Sequence, residues 1–291
     1  MEDAPEAQAT AAFLGPVASP IQQQASKEFA LSIGARRRKS GAPVRTIFVS
    51  DETVEKPPLA RLLNSAETGG GGRGGQLRVK LYISLLLVCA KKPYGVARPA
   101  RAWAALLGLD DIDGKGVRRI QDTLRDLADR QFIKLEDRGG LPSNVTVLSE
   151  SGDGSPFIPA PDAYNRLTSN GVVDPEVLRN HLYFRIPTTL WTSGKIGFLK
   201  GPSLAMLLAL ISEQHGTGQS VWFSPDRANK RFGLSPSTRS EGLAHLRELG
   251  LVHSTSKAVS ESGAFIDFQR RRKVHQVTGL EAVKGTADAT I

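Results

Sequence analysis

Apolar positions recur at helical spacing in the first half of the chain, and two short alternating runs follow them. Three helices are predicted by stripes of apolar residues three or four positions apart: Leu77 to Lys92, Pro99 to Leu107 and Lys115 to Arg130. The runs FIKLEDR and NVTVLSE then flank the Gly139-Gly140 pair, a pattern that predicts a β-hairpin. The predicted order is therefore helix, helix, helix, hairpin.

The same order recurs in the second half. The run GPSLAMLLALISEQ predicts one helix and PDRANKRF a second. A third begins after Ser235, because serine is a favourable N-cap and Pro236 suits the first helical position. Its apolar stripe is formed by Leu243, Leu246 and Leu249. The runs LVHSTS and FIDFQRRRKVHQV then predict the two strands of a second hairpin.

Short shared features relate the two stretches to each other. Each has an apolar residue, a glycine and a leucine between its second and third helices, at 107–109 and at 232–234. Each then has two leucines three positions apart in the third helix. We call residues 76–151 the first repeat and residues 183–280 the second repeat. The predicted fold class is α+β, mainly α with small β-hairpins.

The segments before the first repeat show a different composition. Residues 1–43 are rich in Ala, Gln, Pro and Ser without a sustained period, which predicts a disordered tail. Its cluster Arg36 to Lys39 is either a solvated charge run or an arm that contacts phosphates. Residues 44–63 contain VRTIFV, a predicted strand, and PPLARLL, a predicted short helix. The glycine-rich run Gly69 to Gly75 predicts a flexible joint, so residues 1–75 are expected to be mostly tail and joint.

Two further segments are predicted to lie outside the repeats. Residues 152–182 contain Pro, Gly and Asp and carry a net charge of −2, which favours a linker with a short helix around Pro175 to His181. Residues 281–291 are predicted to be a C-terminal tail.

Positive charge is concentrated on the two repeats. The chain of 291 residues has a formal net charge of +9, and the first repeat carries +4 and the second +7. A basic balance suits a polyanion, either nucleic acid or an anionic membrane surface. No apolar run approaches the roughly 20 residues of a membrane span, and no signal-peptide pattern begins the chain. We expect a cytoplasmic protein, associated with the nucleoid, that does not enter membranes.

Residues with catalytic or metal-binding chemistry form no recognisable motif. The single cysteine, Cys89, lies inside an apolar run and is expected to be a core residue. No phosphate-loop or nucleophile-elbow motif occurs. The histidines are scattered without metal-ligand spacing: His181, His215, His245, His253 and His275. We therefore predict no enzyme activity, no cofactor and no metal.

The stretch from Pro225 to Val252 resembles a helix-turn-helix that opens into a winged helix, and the first repeat is a weaker copy. The whole of about 77–280 resembles tandem winged-helix proteins, as found among bacterial transcription regulators and plasmid replication initiators. The resemblance implies two winged-helix domains after the disordered tail. It also implies that each third helix enters the major groove of double-stranded DNA.

Carried onto this chain, the resemblance assigns two kinds of DNA contact. The base-reading candidates lie on the third helix of the second repeat: Ser237, Thr238, Arg239 and His245. Phosphate contacts are expected from basic residues around it: Lys230, Arg231, Arg270, Arg271, Arg272 and Lys273. The corresponding residues of the first repeat are Lys115, Arg118, Arg119 and Arg138.

Three hypotheses follow for the function. The first is sequence-specific binding of double-stranded DNA by a bacterial transcription regulator. The second is a replication initiator of a plasmid or mobile element, which would use the same parts. The third is a protein-interaction adaptor whose winged helices do not touch DNA. Whether the chain forms a homodimer stays open, as does the choice between DNA contact and dimerisation for the first repeat.

Overall fold

The computed structural model describes residues 16–51, 53–54, 56–64, 74–169, 171, 174–214, 218–258 and 271–280. The helices within these residues are α1 (Pro20–Ser32), α2 (Ala35–Ser40), α3 (Pro58–Leu63), α4 (Gly74–Val88), α5 (Ala100–Leu106), α6 (Lys115–Asp129), α7 (Ala160–Thr168), α8 (Pro175–Arg179), α9 (Thr189–Thr192), α10 (Lys195–Phe198), α11 (Gly201–Gln214), α12 (Pro225–Phe232) and α13 (Pro236–Glu248). The strands are β1 (Ala42–Arg45), β2 (Gly95–Ala97), β3 (Ile133–Glu136), β4 (Asn144–Val147), β5 (Tyr183–Ile186), β6 (Val252–Ala258) and β7 (Arg271–Val277).

The described part of the chain is mainly helical, with three small antiparallel sheets formed by β1 with β5, by β2, β4 and β3, and by β6 with β7. This confirms the predicted α+β class. Among the described helices, none has the length and apolar character needed to cross a membrane.

The first repeat contains the predicted helices and hairpin, together with one strand that the sequence did not predict. Strands β3 and β4 pair in antiparallel register from Ile133 opposite Val147 to Glu136 opposite Asn144. The three-residue strand β2, between α4 and α5, pairs with the other edge of β4. The element order is therefore α4, β2, α5, α6, β3, β4, with β4 in the middle of the sheet.

From α11 onward, after β5, α9 and α10, the second repeat has the same order and the same arrangement of strands. Helices α11, α12 and α13 precede the hairpin of β6 and β7, which pair from Val252 opposite Val277 to Ala258 opposite Arg271. Val221, between α11 and α12, forms a single antiparallel bridge with His275 on β7. Val221 thus occupies the place that β2 has in the first repeat. The run that connects β6 to β7 lies outside the described residues.

The prediction of a disordered tail is wrong from residue 16 onward, because these residues form helices α1 and α2, and α1 packs on the core. Helix α1 is capped by Ser19, whose Oγ accepts a hydrogen bond from Gln22 N–H, and it buries Phe29 against the edge of Trp103. The Gln22 side-chain amide is also buried and donates to Gly194 O at 2.8 Å. Tertiary packing of one face stabilises this helix in spite of its polar composition.

The segment of residues 44–49 is only partly a strand. Strand β1 covers Ala42–Arg45, and a 3-10 turn follows over Thr46–Phe48. The partner of β1 is β5, in antiparallel register from Ala42 opposite Ile186 to Arg45 opposite Tyr183. The N-terminal region is therefore joined to the beginning of the second repeat by a sheet. The glycine-rich joint falls mostly outside the described residues, but Gly74 and Gly75 already belong to α4.

Residues 152–182 do not form the predicted free linker. Phe157 and Ala160 are buried, and α7 begins at Ala160. The Arg45 guanidinium donates to Ile158 O at 2.8 Å. The predicted short helix is present as α8, Pro175–Arg179. Apolar side chains and buried backbone contacts therefore fix this segment to the rest of the protein.

One continuous hydrophobic core runs through both repeats and the N-terminal region. The first helices of the two repeats, α4 and α11, contact each other and are buried on nearly all sides. Trp191 on α9 is fully buried and donates from Nε1 to Ser84 Oγ on α4 at 2.8 Å. The repeats thus share a core instead of folding around two separate ones.

Candidate nucleic-acid interface

Helix α6 buries its apolar face and turns a basic face outward. Ile120, Leu124 and Leu127 are buried against the core, as their spacing predicted. The opposite face is exposed to solvent and contains Lys115, Arg118, Arg119, Gln121, Asp122 and Arg125. The preceding acidic loop caps this helix, because the Asp111 carboxylate accepts hydrogen bonds from Gly114 N–H at 3.1 Å and Lys115 N–H at 2.9 Å.

Three of the four basic side chains on this face have no acidic partner among the described residues, so their charges are accessible to an anionic ligand. Asp122 pairs with Arg125 at 2.8 Å. Lys115, Arg118 and Arg119 form no ion pair with any residue that the structure describes. We call these three residues the α6 basic face. Three of the four DNA-contact residues predicted in the first repeat therefore lie together on one exposed helix surface.

The hairpin of the first repeat carries the fourth predicted residue. Arg138 is exposed in the turn between β3 and β4. Gly139 and Gly140 follow with φ values of 46° and 74°, a conformation that glycine adopts without strain. Lys134 on β3 pairs with Glu136 at 3.0 Å. Arg138 is the basic group at the tip of the hairpin.

Helix α13 begins with the predicted cap. Ser235 Oγ accepts a hydrogen bond from Thr238 N–H at 3.2 Å, and it lies 2.9 Å from the hydroxyl oxygens of both Ser237 and Thr238. Ser237 is exposed and Thr238 is half-buried. Both predicted base-reading hydroxyls are therefore at the helix start, where they also take part in the cap.

The two remaining base-reading candidates are directed toward the protein. Arg239 is half-buried and donates from Nη1 to Phe223 O at 3.4 Å. His245 Nδ1 is hydrogen-bonded to Ser203 Oγ on α11 at 3.0 Å. The outward face of α13 contains both acidic and basic groups, because Glu241, Arg247 and Glu248 are exposed. This face has no excess of positive charge comparable to that of α6.

The two basic residues predicted on α12 lie in different surroundings. Lys230 is exposed. Arg231 pairs with Glu213 on α11 at 2.9 Å and lies over the Phe232 ring at 5.3 Å. The Arg231–Glu213 ion pair thus links α12 to α11, whereas the Lys230 ammonium group is accessible to a phosphate.

The second hairpin brings basic residues from both of its strands together. Arg271 and Lys273 are exposed on β7. Arg272 lies over the Trp222 ring at 4.3 Å and is paired across the strands with Lys257 on β6. Arg270 lies outside the described residues. Two residues of this surface were not among the predicted site residues: Lys257 and Trp222, which is 38% exposed. The register of the hairpin could have indicated Lys257. Nothing in the sequence indicated Trp222.

The first helix of the first repeat carries a buried lysine. Lys80 on α4 is 3% exposed, and its Nζ donates to Gly197 O at 2.8 Å. Burial, and then the charge of Arg119 on α6, lower the pKa of Lys80 to about 8. Lys80 in turn contributes to lowering the pKa of His245 on α13. The charge of Lys80 therefore interacts with Arg119 on α6 and with His245 on α13.

Two histidines of the second repeat should make the free energy of unfolding depend on pH. Burial is the main cause that lowers the pKa of His245, followed by Lys200, and the pKa of His275, followed by Arg247 and Arg239. His275 Nδ1 also lies 2.8 Å from Ser254 Oγ. The folded state therefore favours the neutral imidazoles. Their contribution to stability is complete above the ordinary histidine value of 6.5 and is lost as the pH falls below it.

We expect the urea midpoint of the wild type to be lower at pH 5.5 than at pH 7.5. The decrease should be smaller in the His245→Gln, His275→Gln variant, because glutamine cannot take up a proton. The exposed His253 provides the control, since His253→Gln should keep the full decrease. Equal decreases in the wild type and the double variant would contradict this assignment.

Neither a metal-binding cluster nor an activated thiol occurs among the residues that the structure describes. Within the described ranges, no group of three or more His, Cys, Asp or Glu side chains could hold a metal ion. Cys89 is buried, and burial raises its pKa to about 12. The thiol is therefore protonated at neutral pH and a poor nucleophile.

Comparison with known proteins found no similar protein. The chain matches no protein-family model, no curated protein and no solved structure.

Proposed function

We propose that the chain binds double-stranded DNA through two winged-helix units, as a sequence-specific bacterial transcription regulator. The observation that carries this proposal is the α6 basic face, where three exposed cations lie on the third helix of a helix–strand–helix–helix–hairpin unit. In winged helices the third helix enters the major groove, and the hairpin lies beside it. The repeated element order and the equivalent positions of β2 and Val221 support the assignment of this architecture to both repeats.

In this proposal the first repeat makes the base contacts. Arg118 and Arg119 on α6 can each present a guanidinium fork to guanine O6 and N7. Lys115 at the helix start and Arg138 at the hairpin tip would contact phosphates. The sequence alone favoured the second repeat for this role, but Arg239 and His245 are engaged within the protein.

The second repeat contributes mainly phosphate contacts. Its hairpin carries Lys257, Arg271, Arg272 and Lys273, and the Trp222 ring supports the Arg272 guanidinium. An arginine held on an aromatic ring loses less conformational freedom when it binds a phosphate. Ser237 at the start of α13 is exposed and is the base contact that we assign to this repeat.

A replication initiator is the second candidate. The shared core, which fixes two like units in one chain, favours it, since the plasmid initiators that the sequence resembles commonly place two winged-helix units in one chain. Mapping the bound sites distinguishes the two roles. A regulator should protect DNA beside a promoter, whereas an initiator should protect repeated sites near its own gene.

Alanine substitutions in the α6 basic face should weaken DNA binding and its dependence on salt. Because Lys115 is assigned to a phosphate, its loss should reduce the slope of log K against log salt by about 0.9, which is about 3.5-fold in affinity between 50 and 200 mM salt. Because Arg118 and Arg119 are assigned to bases, the loss of each should cost about 1–3 kcal/mol of discrimination between specific and random DNA. A mobility-shift titration with DNA upstream of the gene, and with random DNA of equal length, measures both quantities.

A matched control separates local contacts from net charge. Lys56, Lys91 and Lys92 are exposed outside both proposed contact helices, and their triple alanine variant loses the same three charges. It should bind like the wild type, apart from a small uniform loss. If the α6 variant is indistinguishable from this control, α6 does not contact DNA. If the wild type binds no DNA at either salt concentration, the adaptor hypothesis is favoured instead.

A further inference from the structure

Helix α2 and the neighbouring strand β5 form a second concentration of positive charge, well separated in sequence from α6 and from the second hairpin. It consists of Arg36, Arg37, Arg38, Lys39 and, from β5, Arg185. We call these five residues the α2 basic ridge. Arg36, Arg38 and Lys39 are exposed, and Arg37 is half-buried. The sequence had placed the first four in a disordered tail, whereas in the structure they lie on a helix.

The ridge is held in place by contacts with the second repeat. Thr188 Oγ1 lies 3.1 Å from the carbonyl oxygens of Arg37 and Arg38, to which it donates. Arg185 Nη1 donates to Ser40 O at 3.2 Å. Immediately after α2, strand β1 pairs with β5 and places Pro43 opposite Arg185. The cationic side chains are therefore attached to a fixed backbone.

The three exposed cations of the ridge have no acidic partner among the described residues. Arg36, Arg38 and Lys39 form no ion pair with residues inside the described ranges. Burial, and then the charges of Arg185 and Arg36, lower the pKa of Arg37 to about 10, although Asp162 acts in the opposite direction. Like charges at this spacing repel each other, and a bound polyanion would relieve the repulsion.

The chemistry of the ridge favours phosphate over an acidic protein partner. Arginine presents a planar fork that matches two phosphate oxygens at once. Protein interfaces, in contrast, usually combine arginine with buried aromatic anchors such as Trp and Tyr. The sequence of α2, ARRRKS, has no apolar side chain larger than that of Ala35. Its outer surface therefore offers charge and hydrogen-bond donors without such an anchor.

We infer that the α2 basic ridge is an additional contact for the phosphate backbone of double-stranded DNA, outside the segment bound by α6 and the second hairpin. This inference rests on the proposed DNA binding and extends it to a surface that neither repeat contains in full. The ridge contributes affinity and footprint length without sequence preference, since phosphate contacts carry no direct base information.

The test uses the full chain with Arg36→Ala, Arg38→Ala and Lys39→Ala. Alanine has the highest helix propensity, so α2 is retained, and Arg37 with its buried contacts is unchanged. Far-UV circular dichroism and the thermal midpoint should match those of the wild type. Salt titrations on a duplex of about 40 base pairs, long enough for several helical turns, should give a slope lower by about 2.7 for three lost phosphate contacts. The loss should be equal for specific and random DNA.

The α6 variant and the Lys56, Lys91, Lys92 control are measured in parallel, so that two failures can be told apart. If the α2 variant behaves like the control while the α6 variant loses binding, the inference is overturned and the proposed function stands; the ridge would then suit an acidic protein. If only the α2 variant loses binding, the inference stands and the assignment of α6 is wrong. If the wild type does not bind DNA, both fail.

Discussion

Replacing Arg45 with alanine is expected to lower the free energy of unfolding by about 3–5 kcal/mol, because it leaves a carboxylate buried without its partner. Arg45 Nη1 lies 2.5 Å from Glu150 Oε2, and Glu150 is fully buried. The same guanidinium donates to Ile158 O. The substitution therefore breaks two side-chain contacts of strand β1, one with the end of the first repeat and one with the segment after it. Urea denaturation at pH 7.5 measures the loss.

Companion variants show whether the buried charge is the cause. The Arg45→Met, Glu150→Leu double variant removes both charges and keeps much of the apolar volume, and such replacements of buried ion pairs are often neutral or stabilising. It should therefore be more stable than Arg45→Ala alone. If the double variant is as unstable as the single one, loss of packing or of the Ile158 contact explains the effect better than the unpaired charge.

Replacing Trp191 with alanine is expected to cost about 3–5 kcal/mol, the usual range for a large aromatic side chain removed from a core. Trp191 is fully buried on α9, and its Nε1 hydrogen bond to Ser84 reaches across to α4. Because this side chain contacts the first repeat from the second, we expect both repeats to lose stability together. Ser84→Ala keeps the ring and should cost about 1–3 kcal/mol, through the indole N–H that it leaves unpaired.

Hydrogen exchange gives the decisive measurement for this prediction. In the Trp191→Ala variant, amides in both α6 and α13 should exchange faster by a similar factor, since one cooperative unit opens as a whole. The denaturation curve should keep a single transition. A variant in which α13 exchanges faster while α6 is unchanged would show that the repeats unfold independently.

Local patterns predicted the elements that repeat. The apolar stripes of α6 and α13, the Ser235 cap and both hairpins depend on neighbouring residues, which the sequence displays directly. The exposure of Lys115, Arg118 and Arg119 followed from the same helical period. Those parts of the candidate site could therefore be placed without a structure.

Contacts between distant residues could not be predicted in this way. Helix α1 is stabilised by the packing of Phe29 on Trp103, and β1 by pairing with a strand about 140 residues later. Strand β2 is too short for a periodic signal. Whether a basic side chain is accessible is also a tertiary property. Glu213 engages Arg231, Phe223 O engages Arg239, and the sequence specifies neither partner.

The shared core has a consequence for the geometry of any DNA complex in which both repeats take part. A flexible linker would let each unit find its own site, whereas one core fixes the separation and the angle between the two units. B-DNA turns once in about 10.5 base pairs, so an insertion of about five would carry one contacted segment to the opposite side of the duplex. Such a protein would respond to the helical phase between two segments of DNA as well as to their sequences.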